Sequence, residues 1–294
     1  MKNKILILAI ITLFITACGI NKTANDNTEE DKLNILTTFY PVHIFAQNVV
    51  DGVEDVELDV LDIQSDGCLH GYQLTAGNMK AIEKADIIII NGADMEKSFI
   101  YDVKERYPQK VYIDSSEGIS LLNSKHENEV NSHIWLSVEN AKVQVENITK
   151  GLSRTDEKNS YIYTENANKY INELDKLVSE YENANINVVA MHDSVSYFAK
   201  DLGLNVIDII QSGEDDVPTP KRNIEIIKNM KDNNVKVILL EKDTSDELAT
   251  LFADETGAKI YYYDVITKGD SEKDDYIEKM KSNYALINEV REEY

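Results

Sequence analysis

Residues 188–209 read VVAMHDSVSYFAKDLGLNVIDI. VVAM is a short apolar run of strand type, residues 194–201 take up helical spacing, and NVIDI at 205–209 is a second strand. Met191 closes the first strand and His192 is the very next residue, so a candidate ligand stands where a strand gives way to a helix. A strand–helix–strand order of this kind builds a parallel sheet with helices against it.

The same alternation extends in both directions. Upstream, strands are expected at residues 33–37, 56–61, 86–90 and 110–113, with helices at 42–50, 79–84 and 95–106. The run DIIII at 86–90 has the β-branched character of a strand buried on both faces. Residues 114–132 are irregular, and helix resumes at Val138. The longest helical pattern covers residues 155–182, with Tyr163, Ala167, Tyr170, Ile171, Leu174 and Leu177 at three- and four-residue steps and Thr155 or Asp156 able to cap its start. About 25 such residues span roughly 37 Å, enough for a rigid spine between two lobes. Downstream, helices are expected at 220–231, 245–255 and 271–293 and strands at 236–240 and 259–263. Pro220 opens one helix and Gly257 closes another. The expected fold is therefore α/β: two lobes with mainly parallel sheets, residues 33–154 and 184–294, joined by one long linking helix at 155–183.

The chain has 294 residues and a formal net charge of −23. That field repels nucleic acid and anionic lipid and attracts cations, so a nucleic-acid role is excluded. At the start, Lys2 and Lys4 precede an apolar stretch at residues 5–15, too short to span a bilayer but suited to the core of a signal peptide. It leads into Ile15-Thr16-Ala17-Cys18, which resembles a bacterial lipobox; residues 1–17 then form the leader and Cys18 carries a diacylglycerol anchor. Residues 18–32 are polar and without apolar periodicity, as in a flexible tether. With Cys18 acylated, Cys68 has no partner within the chain, and a disulfide framework is excluded.

The five histidines are His43, His70, His126, His133 and His192. His70 follows the strand at 56–61 by a short loop, His133 precedes Trp135 and the helix from Val138, and Asp264 directly follows the strand KIYYY at 259–263. Ligands of α/β sheets collect beyond the carboxyl ends of strands, so His70, His133, His192 and Asp264 are candidates for one cleft between lobes. Spacing leaves their convergence open. Three imidazoles and a carboxylate form a four-coordinate shell suited to a borderline divalent cation.

Ordered motifs run along nearly the whole of the remaining chain. They are Thr37-Thr38-Phe39-Tyr40-Pro41, Leu69-His70-Gly71-Tyr72, Ala85-Asp86 with Asn91-Gly92 and Met95-Glu96, and Ser132-His133-Ile134-Trp135-Leu136 with Glu139-Asn140-Ala141. His192-Asp193 with Tyr197-Phe198, Pro218-Thr219-Pro220-Lys221, and Glu241 at a strand end complete the set. Together they resemble the zinc- and manganese-specific substrate-binding lipoproteins of bacterial ABC importers, the cluster A-I or ZnuA/TroA-like family. The resemblance implies a metal site of His70, His133, His192 and Asp264, and delivery of the metal to an ABC permease. It also implies a lipid-anchored monomer on the extracytoplasmic face of the cell membrane, with loop rearrangement rather than wide hinge closure around the ion. Departures from the family pattern are Leu69 for proline, Gln73 for an acidic residue, Asn131-Ser132 for Asp-Pro and Ser137-Val138 for Asp-Pro. They alter loop stiffness and the hydrogen bonds behind the ligands.

Three imidazoles favour Zn2+ over Mn2+, which takes more oxygen ligands; manganese-selecting relatives usually carry a carboxylate where His192 stands. Cys68 is expected to be a bystander, His126 a solvated turn residue and His43 structural. Against an enzyme, a metal-dependent hydrolase needs an open coordination position and usually H-E-x-x-H, which is absent, although Glu241 is a conceivable base. A siderophore- or cobalamin-type binding protein shares the two-lobe architecture but lacks the four-ligand set. An adhesive role has no distinct patch to support it.

Overall fold

The computed structural model describes residues 32–61, 72–124, 129–179, 181–211 and 217–294. The leader, Cys18, Cys68, His70 and His126 lie outside the described residues.

The first lobe is built from β1 (Leu33–Thr37), α1 (Tyr40–Val49), β2 (Val56–Val60), α2 (Ala76–Lys84), β3 (Ile87–Ile90), α3 (Ile100–Arg106) and β4 (Val111–Asp114). Its strands lie in the order β2-β1-β3-β4, all parallel. All four isoleucines of β3 are buried, as a central strand covered on both faces requires, whereas edge strand β2 alternates between half-buried and exposed positions. Two helices follow, α4 (Val138–Thr155) and α5 (Ser160–Ser179). The second lobe comprises β5 (Asn187–Ala190), α6 (Val195–Leu202), β6 (Asn205–Ile209), α7 (Pro220–Asp232), β7 (Val237–Glu241), α8 (Glu247–Thr256), β8 (Lys259–Tyr263) and α9 (Asp275–Glu293). Its parallel sheet has the order β6-β5-β7-β8.

Each sheet reverses direction of growth at its second strand in space, β1 in one lobe and β5 in the other. The carboxyl ends beside that reversal are where α/β sheets leave a crevice. The first sheet therefore presents Thr37 and Asn91 at this crevice, and the second presents Glu241 and, two residues past β5, His192.

Three helices differ most from the periodicity reading. The pattern at 155–182 is interrupted: α4 stops at Thr155, a 3-10 turn fills Glu157–Asn159, and α5 alone connects the sheets. Asp156 does not cap the helix. Its carboxylate instead accepts from Tyr163 Oη at 2.7 Å and Asn159 Nδ2 at 2.8 Å. Helix α3 starts five residues later than residue 95: Gly92, Ala93 and Asp94 all have positive φ, and residues 95–99 that follow form successive turns, with Phe99 at φ −143° just before the helix. The last helix starts at Asp275, not at residue 271.

One apolar core runs through both lobes. It takes Ile35, Phe45 and Ile88 from the first, Trp135, Ile148, Tyr163 and Leu174 from α4, α5 and the turn before them, and Val188, Tyr263 and Tyr284 from the second. Separating the lobes would expose this shared core to water, at roughly 25 cal/mol per Å2 of apolar surface.

Candidate metal-binding cleft

The first lobe supports the cleft with a buried polar brace. Thr38, just past β1, donates its hydroxyl to Glu96 Oε1 at 2.6 Å; the Asn91 N–H reaches the same oxygen at 2.7 Å, and the Gly92 N–H reaches Oε2 at 3.1 Å. Glu96 is almost fully buried, and burial pushes its carboxyl up from 4.5 to about 7 despite those donors. Asn91 passes the support on: its Nδ2 donates to the Ser132 carbonyl at 3.1 Å, and its Oδ1 accepts from Gln144 Nε2 at 3.2 Å. Gly92 is required here, because a β-carbon would collide with the side chains of Asp114 and Ser116 and φ is +78°.

His133 sits directly after this brace and is buried. Both its backbone N–H and its Nδ1 lie 3.0 Å from Asn131 Oδ1. Asn131 Nδ2 is committed as a donor to the Asp193 carbonyl at 2.8 Å, so Oδ1 is the acceptor. The His133 Nδ1 therefore carries the proton, and the lone pair is on Nε2, the tautomer a metal ligand needs. The same asparagine thus ties the His133 loop to the His192 loop. The two imidazoles meet edge to face, with 5.4 Å between ring centroids and 81° between ring planes.

His192, beyond β5, has Nδ1 3.3 Å from the Ser194 N–H and 3.7 Å from Glu241 Oε1. Behind it Glu241 Oε1 accepts from Ser194 Oγ at 2.5 Å and from Tyr263 Oη at 3.2 Å. Asp264 follows β8, and α9 clamps its backbone: Asn283 Oδ1 accepts its N–H at 2.7 Å and Asn283 Nδ2 donates to its carbonyl at 2.8 Å. Its Oδ1 accepts the Ile266 N–H at 2.8 Å. Ile266 is buried with φ +56°, a left-handed conformation that strains a β-branched residue. Trp135 Nε1 donates to the Val265 carbonyl at 2.8 Å, which links the Asp264 loop to a residue two positions from His133.

The structure thus brings the rings of His133 and His192 together edge to face and ties the Asp264 loop to them through Trp135. His70 lies outside the described residues, and among the described residues no three His, Cys, Asp or Glu side chains form a metal-holding group. His43 is buried in α1 with Nδ1 3.2 Å from Thr37 Oγ1, and burial lowers its pKa. Sequence reasoning did not single out Asn283, although one polar residue among Met280, Tyr284 and Ile287 on the buried face of α9 is a signal of its own.

The protein-family model for the zinc-uptake complex component A, periplasmic (ZnuA), matches residues 35–290. The chain belongs to the ZnuA family. A relative is the high-affinity zinc uptake system protein ZnuA of Bacillus subtilis, 28% identical, with 96% of this chain and 95% of that protein covered. The zinc-binding lipoprotein AdcA of Streptococcus pneumoniae is 26% identical over 99% of this chain, which spans 61% of AdcA. Among solved structures, FpvC of Pseudomonas aeruginosa in complex with Mn2+ is similar at a TM-score of 0.80 and 25% identity, with 89% of this chain and 99% of that one covered. The same protein in complex with Ni2+ gives 0.79 and 25%, over 89% and 97%. This member of the ZnuA family has the two-lobe α/β fold of those binding proteins.

Proposed function

We propose that this protein captures a divalent transition metal outside the cytoplasmic membrane and delivers it to the permease of an ABC importer. His70, His133, His192 and Asp264 hold the ion as cargo, and no catalysis is involved. Zinc is the first choice and manganese the second. Residues 1–17 act as the leader, Cys18 carries the lipid anchor, residues 18–32 form the tether, and the two lobes, 33–154 and 184–294, work as a monomer about the 155–183 connector.

The observation that carries this reading is the bridge made by Asn131. It orients the His133 ring with Nε2 deprotonated and, in the same side chain, holds the His192 loop against it. Two imidazoles meeting across a seam between lobes suit zinc, and Glu241, 3.7 Å from His192 Nδ1, adds a carboxylate beside the second of them. The zinc-uptake and zinc-binding names of the Bacillus and Streptococcus relatives point to the same cargo. The Mn2+ and Ni2+ complexes of FpvC keep other divalent ions in view.

The test is elemental analysis of protein purified without chelator, beside His192→Ala. One equivalent of zinc in the wild type and a large loss in the variant is the expected result. If the wild type holds neither zinc nor manganese, and neither ion raises its melting temperature, the reading fails.

A further inference from the structure

Residues 265–276 follow Asp264 and lead from β8 into α9. They belong to the second lobe by sequence, yet their polar contacts reach the first. Trp135 Nε1 holds the Val265 carbonyl, and Tyr276 Oη donates to the Trp135 carbonyl at 2.7 Å. Tyr40, the first residue of α1, is the centre of the remaining contacts. Its hydroxyl donates to Asp275 Oδ2 at 2.6 Å and accepts the Ser271 N–H at 3.1 Å. Lys279 lies 2.9 Å from the same Asp275 oxygen, with its ammonium 5.3 Å from the centre of the Tyr40 ring. Further along α1, Asn48 Nδ2 donates to the Lys273 carbonyl at 2.8 Å.

The backbone is shaped to fit this knot. At Gly269 a β-carbon would meet the Tyr40 hydroxyl, the Asp275 carboxylate and the Lys279 ammonium, so the chain passes close against this knot of polar groups. Ile266 and Ser271, on either side, have φ of +56° and +59°. Non-glycine residues keep such conformations only where their surroundings hold them. Burial and the Asp275 carboxylate both push the Tyr40 phenol well above its ordinary range, so it stays protonated and remains a donor.

We propose that Tyr40 is a positioning residue for metal retention: it fastens the 265–276 strap to the first lobe and, through the strap, holds the Asp264 carboxylate in the cleft. This rests on the reading of Asp264 as a metal ligand. Asp264 is then fixed from two directions, by Asn283 of its own lobe and by Tyr40 of the other. Loosening the strap lets the carboxylate leave an ion that has already bound, so release quickens while capture is unaffected.

Tyr40→Phe removes the hydroxyl and keeps the ring. In the full-length protein with zinc alone as probe, the variant is expected to release zinc to excess chelator about three to ten times faster, the worth of one hydrogen bond, with association unchanged. In the metal-free protein the Ser271 amide is expected to exchange its hydrogen faster. Asn48→Ala, which frees the strap at a second point, should move both quantities the same way. Tyr163→Phe, which removes a buried hydroxyl at the α4–α5 junction, should lower the melting temperature and leave zinc release alone. Zinc release at the wild-type rate from Tyr40→Phe, or equal acceleration by Tyr163→Phe, overturns the proposal. A wild type that takes up no zinc instead overturns the ligand reading beneath it, and the Ser271 exchange result still reports on the strap.

Discussion

Asn131 Oδ1 receives both the backbone N–H and the ring Nδ1–H of His133, each at 3.0 Å. One acceptor thereby sets the position and the tautomer of the imidazole. Replacing it with alanine leaves the ring able to rotate and to protonate on Nε2, and it cuts the Asp193 link as well. Asn131→Ala is expected to weaken zinc binding about 10- to 100-fold, the usual cost of losing a partner behind a metal ligand. Competition against a chromophoric chelator measures it; an unchanged affinity would remove Asn131 from the site.

On the proposed ligand set, His192 is the residue expected to separate zinc from manganese. A carboxylate in its place gives the ion a second hard oxygen ligand and removes one imidazole. His192→Glu should bind zinc more weakly by about tenfold or more and improve manganese relative to zinc. Paired titrations with the two metals give the ratio, and a ratio equal to wild type contradicts the assignment.

Glu96 makes stability depend on pH. Its carboxyl is raised from 4.5 to about 7 in the folded protein, so the native state holds the proton more tightly than the unfolded chain does. The stabilisation from that proton is complete below 4.5 and disappears as pH climbs through about 7, an effect on the order of 3 kcal/mol for a fully buried group. Denaturant unfolding of metal-free protein should show a loss of stability between about pH 5 and 7 that is shallower in Glu96→Gln, where no proton is exchanged. Parallel profiles for the two proteins would refute the assignment.

Trp135 is the only tryptophan in the chain, and its ring centroid lies 5.3 Å from that of His133. Zinc at His133 should therefore change the intrinsic fluorescence and saturate at one equivalent. His133→Ala should abolish the response without emptying the emission band. A response that persists in the variant would locate the ion elsewhere.

The strands are legible in the sequence because parallel strands covered on both faces need unbroken apolar runs, and DIIII and VVAM have them. His192 and Asp264 are legible for a related reason, each being the first residue past a strand. The start of α5 at Ser160 is not: Asp156 reads as a cap in the sequence, but its carboxylate is engaged by Tyr163 and Asn159 instead. The late start of α3 follows three successive left-handed residues, two of them not glycine, and a run of turns through Phe99, which no local propensity announces. The ties that organise the cleft, Asn131 to Asp193, Trp135 to Val265 and Asn283 to Asp264, join residues between 19 and 130 positions apart. Long-range pairs of this kind leave no periodic trace.

The strand order β2-β1-β3-β4 recurs as β6-β5-β7-β8. Its consequence is a matched pair of acids: a hydroxyl past the first strand of each half reaches a glutamate at or beyond the end of the third, Thr38 to Glu96 on one side and Ser194 to Glu241 on the other. The cleft is the seam of a doubled plan. Each half thus carries its own hydroxyl-anchored glutamate behind the loops that hold the proposed ligands, a support built twice from one plan.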